Sequence, residues 1–510
     1  MISDSGNARI ARNTIFLYVR MAFVMIVTFY TSRVILNVLG VTDFGIYNVV
    51  AGFVSMFSFF NTSLTASIQR YYNYENGKSG STGFHKVFTT SFFIQFFLSL
   101  IVFVLLETVG IYYLNNKLVI PSERIETARY VFHMSCVSLI FVIMQVPYSS
   151  AIIAKEYMDY YALVGVVDIL LKLLVVIVLP RITTDYLASY AFALLMITVI
   201  DFFMYLIFSK RKILEVKLEA SFDIPLFKEM LSFSGWSILG SLAQMARNQG
   251  INIIINIFFG PVVNAARGIS YQVKTALASF MANIPTAARP QLTESYARGN
   301  IDRSKHIMYT LSKICFYLIY IIALPVYYDL DYLLHLWLGE TIPDYTLVFS
   351  KIIIVLTIIE TFNWPISMMI YATGKIAKYN IVTSLLGILV IPISYLSLKV
   401  SQNPVLVYCA SLFISVAVQI ASVKCLQVSA SISQREYYHK VILPPLLIVL
   451  LTFYIPYIIT SILNPSLFRA ILNVLLTITI TSVIIYVVGF NQSEKNMLRT
   501  LLKEIVRFKK

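Results

Sequence analysis

The sequence predicts an all-α membrane protein of about fourteen transmembrane helices, arranged as two six-helix lobes related as parallel repeats plus a C-terminal helix pair. Three observations predict it: the composition, the length of the apolar runs, and the alternation of basic residues between connections. Of the 510 residues, 58% are hydrophobic and only 13% charged. A soluble domain carries about 25% charged residues. Only a bilayer solvates this much apolar surface in a chain of this size.

Crossing the hydrocarbon core as a helix takes about 20 apolar residues. Segments that qualify run 14–37, 44–69, 87–112, 128–152, 160–180, 186–208, 233–259, 264–288, 308–328, 344–370, 379–398, 404–427, 440–463 and 467–490. The first apolar run, Ile15 to Leu36, exceeds a signal-peptide core and is followed by no small-residue cleavage site, so it reads as a retained helix. The termini and even-numbered connections hold most of the 40 Lys and Arg residues. The odd-numbered connections hold five, namely Lys117, Arg124, Arg181, Lys399 and Arg469. By the positive-inside rule both termini are cytoplasmic.

The net charge of +15 is mostly this loop charge and asks for no nucleic acid. The rest gathers at the C-terminus. There Met497, Leu501, Leu502, Ile505 and Phe508 recur at helical spacing among Lys495, Arg499, Lys503 and Arg507. That pattern is a basic amphipathic helix for the inner leaflet.

The expected divisions are 1–213 for helices one to six, 214–430 for helices seven to twelve, and 431–510 for the last pair and the basic tail. Asp223 and Pro225 supply the cap and first turn of an interfacial helix through Leu231 that precedes the second lobe. The two lobes echo each other. Leu39-Gly40-Val41 joins helices one and two, and Phe259-Gly260-Pro261 joins seven and eight. Gln69-Arg70 followed by Gly77-Lys78 is matched by Arg289-Pro290 followed by Gly299-Asn300. Six helices per unit is an even number, so both units share one orientation, as in transporters built from parallel repeats.

An ionised side chain at the bilayer centre costs about 2.5–3.5 kcal/mol on insertion scales, so each one asks for a reason. Helix seven carries Gln244, Asn248, Asn252 and Asn256 four apart, with Arg247 on the same side. Helix eight carries Asn264, Arg267, Tyr271 and Lys274; helix two carries Asn48, Ser55, Thr62 and Gln69 at steps of seven; helix one contributes Arg20. Hydrogen bonding between helices is one reading of the Asn and Ser residues. For Arg247, Arg267 and Lys274, a water-filled cavity lined by cations is the better reading, because no acidic residue shares their helix faces. Arg20 and Arg267 lie nearer helix ends, where snorkelling to an interface is an alternative. The candidate substrate-binding set is therefore Arg20, Arg247, Arg267 and Lys274 with Asn48, Gln244, Asn248, Asn252 and Tyr271.

Three acidic residues are candidates for coupling to H+ or Na+. Asp168 lies four residues before Lys172, a spacing that also suits a simple ion pair. Asp201 and Glu360 have no evident partner in the sequence. Glu360 is followed by Asn363 and Pro365, and the proline opens the backbone nearby.

Nothing in the sequence makes a catalytic or cofactor constellation. His85, His133, His306, His335 and His439 are scattered, and Cys136, Cys315, Cys409 and Cys425 lack metal-ligand spacing. Asp329, Asp331, Glu340 and Asp344 form the one acidic loop cluster, which reads as solvated.

Three stretches carry a family resemblance: Arg33-Val-Ile-Leu-Asn-Val-Leu-Gly40, Asp43-Phe-Gly-Ile-Tyr-Asn48 and Ser67-Ile-Gln-Arg70-Tyr71. With Asn264-Ala-Ala-Arg-Gly268, they resemble a Wzx-type polysaccharide flippase of the multidrug/oligosaccharidyl-lipid/polysaccharide exporter superfamily. The resemblance implies export of an undecaprenyl-diphosphate-linked oligosaccharide, such as an O-antigen unit of lipopolysaccharide, across a bacterial cytoplasmic (inner) membrane. It implies lobes that rock around a basic lumen, matching Arg20, Arg247, Arg267 and Lys274 by position, and partners that include membrane lipids and a polysaccharide polymerase complex. Lipid II flippases of the same superfamily also carry two extra C-terminal helices, so that subfamily stays open. So do a cation-coupled multidrug antiporter and, from another class, a membrane glycosyltransferase or polymerase.

Overall fold

The computed structural model describes the backbone of residues 2–58, 65, 68, 71–72, 80–155, 157–182, 185–218, 223–373, 375–492 and 494–495. Within helices, the side chains of residues 2–24, 231–241 and 282–291 are among those outside the described set. Gln69, Arg70, the 73–79 connection and the amphipathic tail beyond Lys495 also lie outside it.

Every described element is helical, with no strand among the described residues. Among the described residues, twelve stretches are long and apolar enough to cross a membrane, and two of them are bent, which gives the fourteen helices expected. Helices α1 and α2 are the arms of Ile2–Ser55 on either side of Gly40. Next come α3 (Gly83–Asn116), α4 (Ser122–Ala154), α5 (Asp159–Arg181) and α6 (Tyr186–Lys212). Helices α7 and α8 are the arms of Ile224–Ala297 on either side of Gly260. They are followed by α9 (Ile301–Tyr328), α10 (Thr346–Thr373), α11 (Ile376–Val400) and α12 (Val405–Ala430). The last pair is α13 (Gln434–Ile462) and α14 (Leu467–Gly489).

The two bends share one geometry. Gly40 has φ 75° and ψ 170°, and Gly260 has φ 73° and ψ −169°. That corner of backbone space is essentially closed to residues with a Cβ. The repeat read from the sequence thus places the same backbone device in both halves. In the connection between α6 and α7, Asp223 caps the next helix by accepting from the Leu226 N–H at 3.0 Å. After Pro225 in its first turn that helix meets no further proline before Gly260 and runs on unbroken, so the segment through Leu231 is its first turns. In α10 the helix stops at Glu360 and restarts at Asn363, and Pro365 explains the break.

Two compact units make up the chain: Ile26–Gly268 with Val390–Pro404, and Met1–Met25 with Ile269–Leu389 and Val405–Lys510. In the first, aromatic side chains pack one end of α3, α4 and α6. Tyr72 stacks on Phe84 at 4.3 Å between ring centroids and its hydroxyl donates to the Pro147 carbonyl at 3.2 Å. Asp43, Arg124 and Asp185 meet at the opposite end: Arg124 forms a bidentate pair with Asp43 and reaches Asp185 at 3.4 Å. Asp185 also accepts from the Ala188 N–H and so caps α6. Lys155 pairs with Glu215 at 2.9 Å where α4 and α6 give way to their following connections.

In the second unit α9 is the spine. Its Tyr317 hydroxyl donates to the Gly489 carbonyl at 3.0 Å, and Tyr320 bonds Thr452 at 2.9 Å. Outward faces of α13 and α14 stay apolar, with Leu450 72% and Phe468 69% exposed. Apolar surface of that kind is at home in lipid and not in water.

Candidate functional site

The polar residues of the first unit fold into a connected network where α2 meets α7 and the start of α8. Asn252 donates from Nδ2 to the Asn48 carbonyl at 3.0 Å. Asn264 donates to the Asn252 carbonyl at 2.8 Å and to its Oδ1 at 2.7 Å. Gln249 donates to Ser55 at 3.3 Å, and Asn48 turns its own amide to the Phe44 carbonyl at 2.7 Å. Asn256, fully buried, accepts from the Val119 N–H at 2.8 Å and donates to the Val119 carbonyl at 3.3 Å. That pairing fastens the α3–α4 connection to α7.

Glycines permit this close approach. A Cβ at Gly45 would overlap the Pro261 carbonyl, and one at Gly268 would fall 2.8 Å from Asn48 Oδ1. Asn252, Asn256 and Asn264 thus bond to other elements, the hydrogen-bonding reading the sequence offers, while Asn48 takes part through its backbone carbonyl. Gln244 is exposed, and Arg247 and Asn248 are half-buried.

The cations divide. Arg267 is 5% exposed and donates to the Asn248 carbonyl at 2.6 Å, a contact that positions the guanidinium without removing its charge. Lys274, in the second unit, meets Glu360 at 2.7 Å and lies 5.8 Å from the Tyr271 ring centroid. The sequence offered Lys274 no acid on its own helix and Glu360 no partner; the structure supplies each to the other from different helices. The Arg20 side chain lies outside the described residues.

On α5, Lys172 pairs with Asp168 at 2.7 Å, as their spacing suggests. Asp201 of α6 is within electrostatic reach of both, and its Oδ1 is buried with no hydrogen-bond partner among the described residues. The sequence gave no hint of a further pair: Glu107, on a widened turn at Leu106–Gly110, meets His133 Nδ1 at 2.9 Å. A widened turn of this kind marks a local departure from the helix ladder, and the Glu107 carboxyl sits on it.

The loop acids are corrected in part. Asp331, Glu340 and Asp344 are exposed as expected, but Asp329 is buried against Arg469 at 2.7 Å and accepts from Asn473 at 2.6 Å. Among the described residues no group of three metal-ligating side chains occurs, and Cys136, Cys315 and Cys425 are buried as apolar filler while Cys409 is exposed.

A family model described as polysaccharide biosynthesis protein matches residues 10–295. No functionally curated protein matches the sequence. Among solved structures, the lipid II flippase MurJ in an inward closed conformation has a TM-score of 0.69 at 14% identity, covering 92% of this chain and 99% of that one. An inward-facing multidrug resistance MATE family transporter of the MOP superfamily has a TM-score of 0.61 at 12% identity, covering 82% and 96%. An outward-facing MATE family transporter scores 0.56 at 14% identity, covering 81% and 95%. At such identities the likeness establishes a shared fold. The chain is a multi-pass, all-helical membrane protein with the fold of MOP-superfamily transporters, and it belongs to the polysaccharide biosynthesis protein family.

Proposed function

We propose that the protein is a flippase that exports an undecaprenyl-diphosphate-linked oligosaccharide repeat unit from the inner to the outer leaflet of a bacterial cytoplasmic membrane. Both termini are cytoplasmic in this reading, and the two six-helix lobes alternate access to a cationic cavity. The observation that carries it is Arg267, a buried guanidinium on a membrane-spanning helix of a polysaccharide biosynthesis family member. A diphosphate cannot cross about 30 Å of hydrocarbon unaided. Arginine replaces its water shell with paired hydrogen bonds, and lysine contributes a point charge. Arg20, Arg247 and Lys274 serve with Arg267, Tyr271 and the exposed Gln244 face the sugars, and Asn48 and Asn252 hold the helices that carry the cations.

Coupling falls to Asp168, Lys172 and Asp201. Two carboxylates against one ammonium leave one negative charge in the helix bundle, which a proton or sodium ion neutralises. A polysaccharide polymerase is the partner that consumes the exported unit.

The second reading is a lipid II-type cargo, favoured by a likeness that covers 99% of the lipid II flippase at a TM-score of 0.69. Deleting the gene tests both. Repeat units accumulating on the cytoplasmic leaflet, with export restored by wild type and not by Arg247→Ala, support the first. Accumulated peptidoglycan precursor supports the second. Unpolymerised units on the outer leaflet would indicate a polymerase, and altered drug sensitivity with normal polysaccharide an antiporter.

A further inference from the structure

A cavity of about 480 Å³ opens in the second unit where α9 begins, α13 begins and α14 ends. Its floor is the ion pair of Lys313 and Glu494, 2.5 Å apart with side chains 5% and 2% exposed. Thr310 donates to the same carboxylate at 3.1 Å. The rim carries Lys305 and Asp302 of α9 with Lys440 and Glu436 of α13. Glu436 sits among cations, 2.7 Å from Lys440 Nζ, with Lys305 and the Tyr309 hydroxyl also acting on it. One wall is apolar, formed by Pro444, Val488 and Phe490. The transport reading uses none of these groups.

Charge decides what fits. Lys305, Lys313 and Lys440 pair with Asp302, Glu494 and Glu436 respectively, so the cavity is neutral overall yet lined by both signs of charge. A plain anion meets three carboxylates there and a plain cation meets three lysines. A ligand bearing both charges a few bonds apart meets complementary groups for each. The spans end at Ile301, Gln434 and Gly489, so the cavity lies where hydrocarbon gives way to headgroups. The apolar wall continues into the membrane-spanning face. We propose that this cavity is a resident site for a zwitterionic phospholipid carrying a primary ammonium. Its phosphate rests on Lys305 and Lys440, its ammonium on Glu436 and Asp302, and an acyl chain on Val488 and Phe490. This lipid is held, not transported, and the site stands apart from the cargo reading.

The test uses the purified full-length protein in detergent with phosphatidylethanolamine, phosphatidylglycerol or phosphatidylcholine added. Native mass spectrometry reads retention and thermal unfolding reads protection. Phosphatidylethanolamine is expected to be retained about tenfold better than the other two, and the Lys305→Ala/Lys440→Ala variant to lose that retention. Glu436→Gln, a milder change, is expected to erase the preference over phosphatidylglycerol while leaving the fold intact. Equal retention of phosphatidylglycerol by wild type would overturn the proposal. So would equal protection by free phosphoethanolamine, which makes the ligand soluble, or unchanged retention in both variants.

Discussion

Asp329 at the end of α9 and Arg469 in the first turn of α14 lie 2.7 Å apart, with side chains 1% and 8% exposed. Asn473 takes the other carboxylate oxygen at 2.6 Å, and Arg469 also donates to the Leu463 carbonyl at 3.2 Å. Removing one partner of a buried pair costs about 3–5 kcal/mol, whereas replacing both with apolar groups is often close to neutral. Asp329→Ala and Arg469→Ala should therefore each lower the unfolding midpoint in detergent sharply. The double change Asp329→Leu/Arg469→Met should recover most of the loss, and additive losses would show that the two residues act independently.

The same pair refines the separation of a flippase from a polymerase. Loss of polymer in Asp329→Asn would report a broken fold rather than a missing acid. Asp331→Asn is the informative variant, since Asp331 is exposed and only 3.7 Å from the solvent-facing His335. Export and polymer length should be unchanged in it, measured as surface polysaccharide, and a loss of polymer would favour an enzyme.

Gly40→Ala and Gly260→Ala should each destabilise by about 1–3 kcal/mol through backbone strain alone. Among the described residues neither position is crowded: nothing lies within 4 Å of a Cβ at Gly40, and only Val119 Cγ1, at 3.9 Å, approaches one at Gly260. Thermal unfolding of both variants checks this, and equal midpoints to wild type would mean the bends relax freely.

Asn256→Ala should release the α3–α4 connection, since it removes the partner of both the Val119 N–H and its carbonyl. Loss of a buried hydrogen-bond partner costs about 1–3 kcal/mol. Hydrogen exchange around Val119 should accelerate relative to wild type.

Lys155 and Glu215 give a pH signature. Burial raises the Glu215 carboxyl, but the Lys155 ammonium and a backbone N–H outweigh it and hold the group below its ordinary value. A depressed carboxylate contributes stability that is present above the unfolded value of about 4.3 and is lost as pH falls through the folded value. Lys155→Gln should therefore narrow the stability difference between pH 7 and pH 4, read as the change in unfolding midpoint.

The helices were legible in the sequence because hydropathy is local: each run of apolar residues announces itself without reference to the rest of the chain. The bends were legible too, because Gly40 and Gly260 sit in connections too short for anything but a tight reversal. Partners were not. Asn252 could be seen as a polar residue in a membrane helix, but its acceptor at Asn48 is remote in the chain. Lys274 and Glu360 looked like separate functional charges for the same reason, since nothing in either helix announces the other. Asp329 reads as a solvated loop acid because it lies in a connection, and its partner Arg469 belongs to a helix far along the chain.

The clamp between α9 and α14 bears on how short such a chain can become. Lys313–Glu494 closes one end of the contact and Asp329–Arg469 the other. A gene truncated after Ala430 would leave an orphan ammonium and an orphan carboxylate on the same helix, both stripped of water. The last two helices are therefore not a detachable appendix, and twelve-helix descendants of this protein would have to change Lys313 and Asp329 before losing them.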